Sequence, residues 1–321
     1  MPPVSALFRL AALIAFTLVL SFSTALAQKR VALVIGNSSY AHVPALPNPT
    51  NDSAKVALKL KSIGFEVLQA DNLDFDGFRR TLRDFSKKAT GADMAVVFYA
   101  GHGIEVNKSN YLIPVDAKLE TDREISYEAV PLELVTEAVN GAKGLRLVML
   151  DACRNNPFAS KIKMTSPTRS IGRGLSFIEP SAGTLVSYAA REGTTAEDGD
   201  GQHSPYTAAL LENLGQPGLE VNFLFRKVRD QVLENTGGKQ EPFTYGSLPG
   251  RQIFLVPAAQ QPPTATSDTA KPPTAHNTDA LFWAAIQDSD NPALFEEYLK
   301  RFPKGIFSSI AQIRLGNLKS G

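Results

Sequence analysis

The sequence predicts an α/β fold, a predominantly parallel sheet of about six strands flanked by helices, followed by a small α-helical C-terminal unit. Three observations carry this. Short β-branched and apolar runs alternate with segments of helical period from residue 29 to about 255. Those runs are apolar almost throughout, as strands covered on both faces are. A stretch rich in Pro, Thr and Ala then separates this block from a purely helical pattern.

The expected strands are residues 30–35 (RVALVI), 65–69 (FEVLQ), 94–99 (MAVVFY), 145–150 (LRLVML), 184–188 (TLVSY) and 252–256 (QIFLV). Between the first two, Thr50, Asn51 and Asp52 offer a polar start and Gly64 a stop for a helix. Phe75, Phe78, Leu82, Phe85 and Ala89 recur by threes and fours, so one helix face carries all of them and belongs to the core. Pro131 suits the first turn of a helix burying Leu132, Val135 and Val139, and Val221, Leu224, Phe225, Val228 and Val232 mark another.

Two stretches break the alternation. Residues 154–180 lack a period and hold Lys161, Lys163, Arg169 and Arg173 among Ser, Thr, Pro and Gly, so they read as a mobile loop open to self-cleavage. Residues 257–279 contain almost no large apolar side chain and read as an extended linker. Residues 280–321 then suggest short amphipathic helices broken at Asp290-Asn291-Pro292 and Pro303-Lys304-Gly305, resembling one tetratricopeptide-type hairpin. A lone unit of that kind cannot bury its apolar face by itself, so it is expected to dock, self-associate or bind a protein partner. Trp283 and Phe295 are its expected packing residues.

Residues 1–27 have the order of a secretory signal peptide: Arg9, an apolar run from Leu10 to Phe22, then Ala25-Leu26-Ala27. Cleavage before Gln28 and an exported, periplasmic or secreted protein are expected. The run is short for the ~20 residues of a stable membrane anchor. Lys and Arg number 33 against 32 Asp and Glu, a balance that asks for neither nucleic acid nor an anionic membrane. The single cysteine, Cys153, excludes an intrachain disulfide and a multi-cysteine zinc site. Taken alone it reads equally as an inert buried thiol.

Its setting argues for chemistry. His102 follows one predicted strand and Cys153 another, and in open parallel sheets the carboxyl edge is where ligands bind. An imidazole there can help form the thiolate and later protonate a leaving amine. Gly101 and Gly103 allow close backbone approach, and the N–H groups of Gly103 and Cys153 are candidate oxyanion donors.

With YAGHG at residues 99–103, DACR at residues 151–154 and the two candidates about 50 residues apart, the chain resembles the caspase and metacaspase family of cysteine peptidases. The resemblance implies that family's fold from about residue 29 to 256 and an endopeptidase acting through a Cys153–His102 dyad. Animal caspases carry Gln two residues before the cysteine and an arginine soon after the first strand; here Asp151 and Tyr40-Ala41-His42 stand in those places. Asp at that position is the metacaspase arrangement, which implies substrates with a basic P1 residue. Thr195-Ala196-Glu197 falls where metacaspases have Ser-Ala-Asp, so Glu197, with Asp198 beside it, becomes a second S1 candidate; a solvated acidic turn is the alternative. No cofactor is required. Calcium, which many metacaspases need, would have Glu197, Asp198 and Asp200 as oxygen ligands, though their spacing is not that of an EF-hand.

Gly36-Asn37-Ser38 lacks a phosphate-binding fingerprint and reads as a turn near the site. His42 and His203 read as surface or satisfied loop histidines, and His276 falls in the linker. A silent caspase-fold scaffold of the cell envelope is the competing reading, since fold alone does not establish activity.

Overall fold

The computed structural model describes residues 28–153, 158, 161–165, 171–172, 175–176, 180–191, 196, 199, 201–258, 275–287 and 289–320. The chain divides between Ala259 and Gln260 into two compact units.

The first unit is built on β1 (Arg30–Gly36), β2 (Glu66–Asp71), β3 (Met94–Val106), β6 (Leu145–Cys153), β8 (Thr184–Tyr188) and β9 (Phe243–Gly246). They lie side by side in the order β2-β1-β3-β6-β8-β9. All neighbours are parallel except β8 and β9. Helices α1 (Pro49–Ser62), α5 (Pro205–Asn213) and α6 (Val221–Asn235) cover one face. Helices α2 (Phe75–Ala89) and α4 (Leu132–Val139) cover the other. The central strands β1, β3 and β8 are consequently buried on both sides, which explains their apolar sequences, whereas β2 and β9 at the two edges are partly exposed. On α2 the expected stripe faces inward, with Phe78, Leu82, Phe85 and Ala89 buried and Phe75 at its margin. Each buried Phe contributes about 2–3 kcal/mol of apolar transfer.

Five of the six expected strands form in the sheet. The sixth does not. Residues 252–256 make a single bridge, Phe254 to Glu220, and the edge position is taken by β9. Ile253 and Leu255 bury into the α1/α5/α6 layer instead, while the Ile253 carbonyl accepts from Val221 N–H at 2.9 Å. Arg30 ties the segment down by donating to the Leu255 and Ile63 carbonyls. The apolar run at 252–256 therefore reflected burial against helices, whereas β9, four residues with an exposed end, carries too little pattern to be read.

Pro131 ends the two-residue strand β5 (Val130–Pro131) and caps α4 rather than standing in its first turn. Strand β3 continues past the expected end at residue 99, because its last residues pair antiparallel with β4 (Ser109–Leu112). The short helix α3 (Ile125–Glu128) follows β4 in the chain.

The stretch read as a mobile loop is held at several described points. Strand β7 (Ile171–Gly172) pairs with Glu105 and Val106 of β3. The Lys163 N–H donates to the Glu120 carbonyl at 2.9 Å, and the Asp122 side chain accepts from Thr165 N–H at 2.8 Å. Asn110, fully buried, exchanges two hydrogen bonds with the backbone of Ser176. Its partners lie far away in the sequence, so composition concealed them.

The second unit consists of α7 (Ala275–Ile286), α8 (Pro292–Arg301) and α9 (Ser308–Ser320), with breaks at the two expected places. Helix α7 starts inside the stretch read as linker. Asp279, within that stretch, is buried and accepts from the Tyr298 hydroxyl and from Ile306 N–H at 2.7 Å. Trp283 stacks on Phe307 and meets Phe295 and Tyr298 edge-on, so the unit has a core of its own. It nevertheless leaves Ile306, Ile310 and Ile313 at least half exposed. Among the described residues no helix is long and apolar enough to cross a membrane.

Candidate active site

Strands β3 and β6 bring the two candidate residues together. Their parallel register pairs Ala100 with Asp151, Gly101 with Ala152 and His102 with Cys153. Neighbouring strands lie about 4.8 Å apart, so backbones separated by half a hundred residues of sequence become adjacent. His102 is not beyond the end of its strand, as the sequence suggested; it sits inside β3, and Cys153 is the last residue of β6.

His102 is held through its backbone by two tyrosines. The Tyr40 hydroxyl oxygen accepts from His102 N–H at 2.7 Å, and the Tyr99 hydroxyl donates to the His102 carbonyl at 2.7 Å. Ile113 N–H reaches the same carbonyl at 3.0 Å. Gly101 is required here, because a Cβ would lie 2.6 Å from the Tyr99 hydroxyl oxygen and 2.8 Å from that of Tyr40. The imidazole packs 4.6 Å from the Tyr40 ring and 6.1 Å from Phe158, centroid to centroid. Only 2% of the residue is exposed. Burial pushes its pKa down to about 4, leaving the ring neutral at physiological pH. Among the described residues neither ring nitrogen has a hydrogen-bond partner. The neutral imidazole keeps one ring nitrogen open as an acceptor for a group placed against it.

Asp151, buried beside the pair, lies under the N-terminus of α5. Ser204 and Thr207 donate their hydroxyls to its Oδ2, the latter at 2.6 Å. Ser204 also caps α5 by accepting from Thr207 N–H at 2.9 Å. A second carboxylate reaches the same residue: Asp52, buried in the first turn of α1, accepts from Ser204 N–H at 3.4 Å and lies 2.7 Å from His203 Nδ1. Burial and the Lys55 charge push the His203 pKa down, so a neutral ring donating Nδ1–H suits that contact. Two acidic side chains thus meet around Ser204 at the carboxyl edge of the sheet.

Asp52 was legible in the sequence only as a helix-start residue, and Tyr40 only as a departure from the caspase pattern. Ser204-Pro205 is a cap-and-first-turn signal for α5 that the strand pattern overshadowed. Asn37, in the expected turn, holds the site's rear wall by donating to the Ile113 carbonyl and accepting from Leu73 N–H. His42 is exposed, and its carbonyl accepts from the Lys161 ammonium. Arg169, Arg173, Glu197, Asp198 and Asp200 lie outside the described residues. Among the described residues no group of three or more His, Cys, Asp or Glu could hold a metal ion.

A strand-edge Cys and His on a six-stranded, helix-covered sheet define the class of caspase-fold proteins. Residues 29–252 match the caspase domain, and the chain belongs to this family of cysteine peptidases. It is 26% identical over 241 residues to the human mucosa-associated lymphoid tissue lymphoma translocation protein 1, covering 72% of this chain and 27% of that protein. It is 28% identical over 138 residues to cell death protein 3 of Caenorhabditis remanei, covering 43% of this chain and 25% of that one. The chain therefore spans about a quarter of the length of these relatives. The crystal structure of caspase-1 from Spodoptera frugiperda shares the fold, with a TM-score of 0.52 at 17% identity, covering 72% of this chain and 93% of that one.

Proposed function

We propose that the chain is a cysteine endopeptidase that hydrolyses peptide bonds after Arg or Lys, with Cys153 as nucleophile and His102 as general acid and base. The observation that carries this reading is the register of β3 on β6, which sets Cys153 beside a buried, neutral His102. In the reaction the Cys153 thiol gives its proton to His102 while sulfur attacks the scissile carbonyl carbon. Backbone N–H groups of Gly103 and Cys153 hold the oxyanion. His102 then protonates the departing amine, and water, losing a proton to His102, hydrolyses the thioester and restores the thiol.

Basic selectivity rests on Asp151, joined by Glu197 and Asp198 from the loop after β8. The meeting of Asp151 and Asp52 at Ser204 supports it, because two buried carboxylates raise a negative potential that a guanidinium or ammonium satisfies. Self-processing belongs at Lys161, Arg169 or Arg173 rather than Lys163, whose backbone is engaged with Glu120 and Asp122 on both sides. Residues 1–27 direct export to the periplasm or medium. Calcium binding by the 197–200 loop is a dependent part of the reading.

The test is hydrolysis of fluorogenic peptides ending in Arg, Lys or Asp. Turnover of the Arg and Lys peptides, lost in Cys153→Ala, supports the reading. Turnover surviving that change removes the mechanism, and preference for Asp removes the pocket assignment.

A further inference from the structure

At the opposite, amino edge of the sheet lies a feature the proposed chemistry does not use. Arg251 borders three adjoining hollows, of about 840, 400 and 440 Å³. Two of them share Lys143, and the third cation, Arg146, lines the last. Lys143 and Arg251 are exposed and Arg146 is half-buried. The floor is backbone: a Cβ at Gly144 would lie 3.5 Å from Arg251 Nη2, so the guanidinium rests over bare main chain.

The 440 Å³ hollow is lined by all three cations and by no carboxylate. Among the described residues none of the three forms an ion pair, and Arg146 spends its bonds on the Ala142 and Ala182 carbonyls. Two carboxylates line the other hollows, Asp93 the one of 400 Å³ and Glu220 the one of 840 Å³, and both are hydrogen-bonded to backbone. Asp93 accepts from Lys29 N–H at 2.8 Å, and Glu220 caps α6 through Asn222 N–H and Phe223 N–H. The chain as a whole is nearly neutral, with a formal charge of +1, so three cations in one hollow with no carboxylate in its lining are a local concentration of charge.

We infer that this groove docks an acidic peptide segment of a partner or substrate protein. Three cations among glycine backbone and the apolar walls of Leu248 and Pro249 match a short run of Asp or Glu. They fall short of the ~6–10 phosphate contacts that duplex binding uses. Strand β6 runs its nine residues from this groove to Cys153, roughly 26 Å at about 3.3 Å per residue. An acidic tract about ten or more residues from a scissile bond could occupy both ends of the sheet at once, adding effective concentration to a short cleavage motif.

The test is fluorescence anisotropy of a labelled ten-residue Glu-rich peptide, free of Lys and Arg, with the full chain carrying Cys153→Ala. Binding does not require catalysis, so its outcome is separate from that of the peptidase reading. The expected result is saturable binding, weakened about tenfold or more in Lys143→Glu/Arg251→Glu and in Lys143→Ala/Arg251→Ala, and by added salt. Circular dichroism confirms that both variants fold. No binding, binding unchanged in the folded variants, or equal binding of a Lys-rich peptide would overturn the proposal. So would tighter binding of duplex DNA or anionic vesicles lost in the same variants.

Discussion

Tyr40 and Tyr99 grip the His102 peptide unit from both sides, so the imidazole is aimed by hydroxyls rather than by the ladder alone. Tyr40 is accordingly a positioning residue. Tyr40→Phe keeps the ring contact and removes the acceptor, and is expected to lower kcat about tenfold with KM little changed; a change confined to KM would contradict this. Burial gives a second expectation. The His102 pKa falls from an ordinary value near 6.5 to about 4, so between those pH values the unfolded chain binds the proton that the folded chain refuses. Stability is unaffected above about pH 6.5 and is lost as pH falls toward 4, by on the order of 3 kcal/mol. Urea unfolding at pH 7 and 4.5 should show a larger acid loss for the parent chain than for His102→Phe. Parallel losses would mean that the imidazole is not desolvated.

At the scale of elements, α5 connects folding to the proposed pocket, because Ser204 caps the helix and donates to Asp151 at once. Ser204→Ala should cost about 1–3 kcal/mol in urea unfolding, from the lost cap and a weakened buried carboxylate. A neutral result would show that neither bond contributes. Strands buried on both faces and the α2 stripe were readable because burial writes a period into the sequence. β9 and residues 252–256 were not, since an edge strand shows little apolarity and a covered loop shows much. His102 was expected past the end of a strand that in fact contains it, and Cys153 closes β6 rather than following it, but the register still pairs the two. Tyr40, Asp52 and Asn110 act through partners distant in sequence, and no local pattern encodes such contacts.

For the whole molecule, a peptidase-family unit and a helical unit with its own core share one chain. Asp279 organises the latter by receiving Tyr298 and the Ile306 N–H. Asp279→Ala should raise hydrogen exchange across residues 275–320 while the sheet strands keep their protection; unchanged exchange would show that the aromatic core suffices. Ile306, just before α9, and Ile310 and Ile313 within it stay at least half exposed. Cys153, His102 and a basic P1 residue are tested together by one measurement: the rate at which an arginyl chloromethyl ketone peptide alkylates Cys153, read by mass spectrometry. Rapid labelling of the parent chain, slowing of about 100-fold or more in His102→Ala, and little labelling by the aspartyl analogue are predicted. Labelling indifferent to His102, or faster with the aspartyl reagent, would contradict the account.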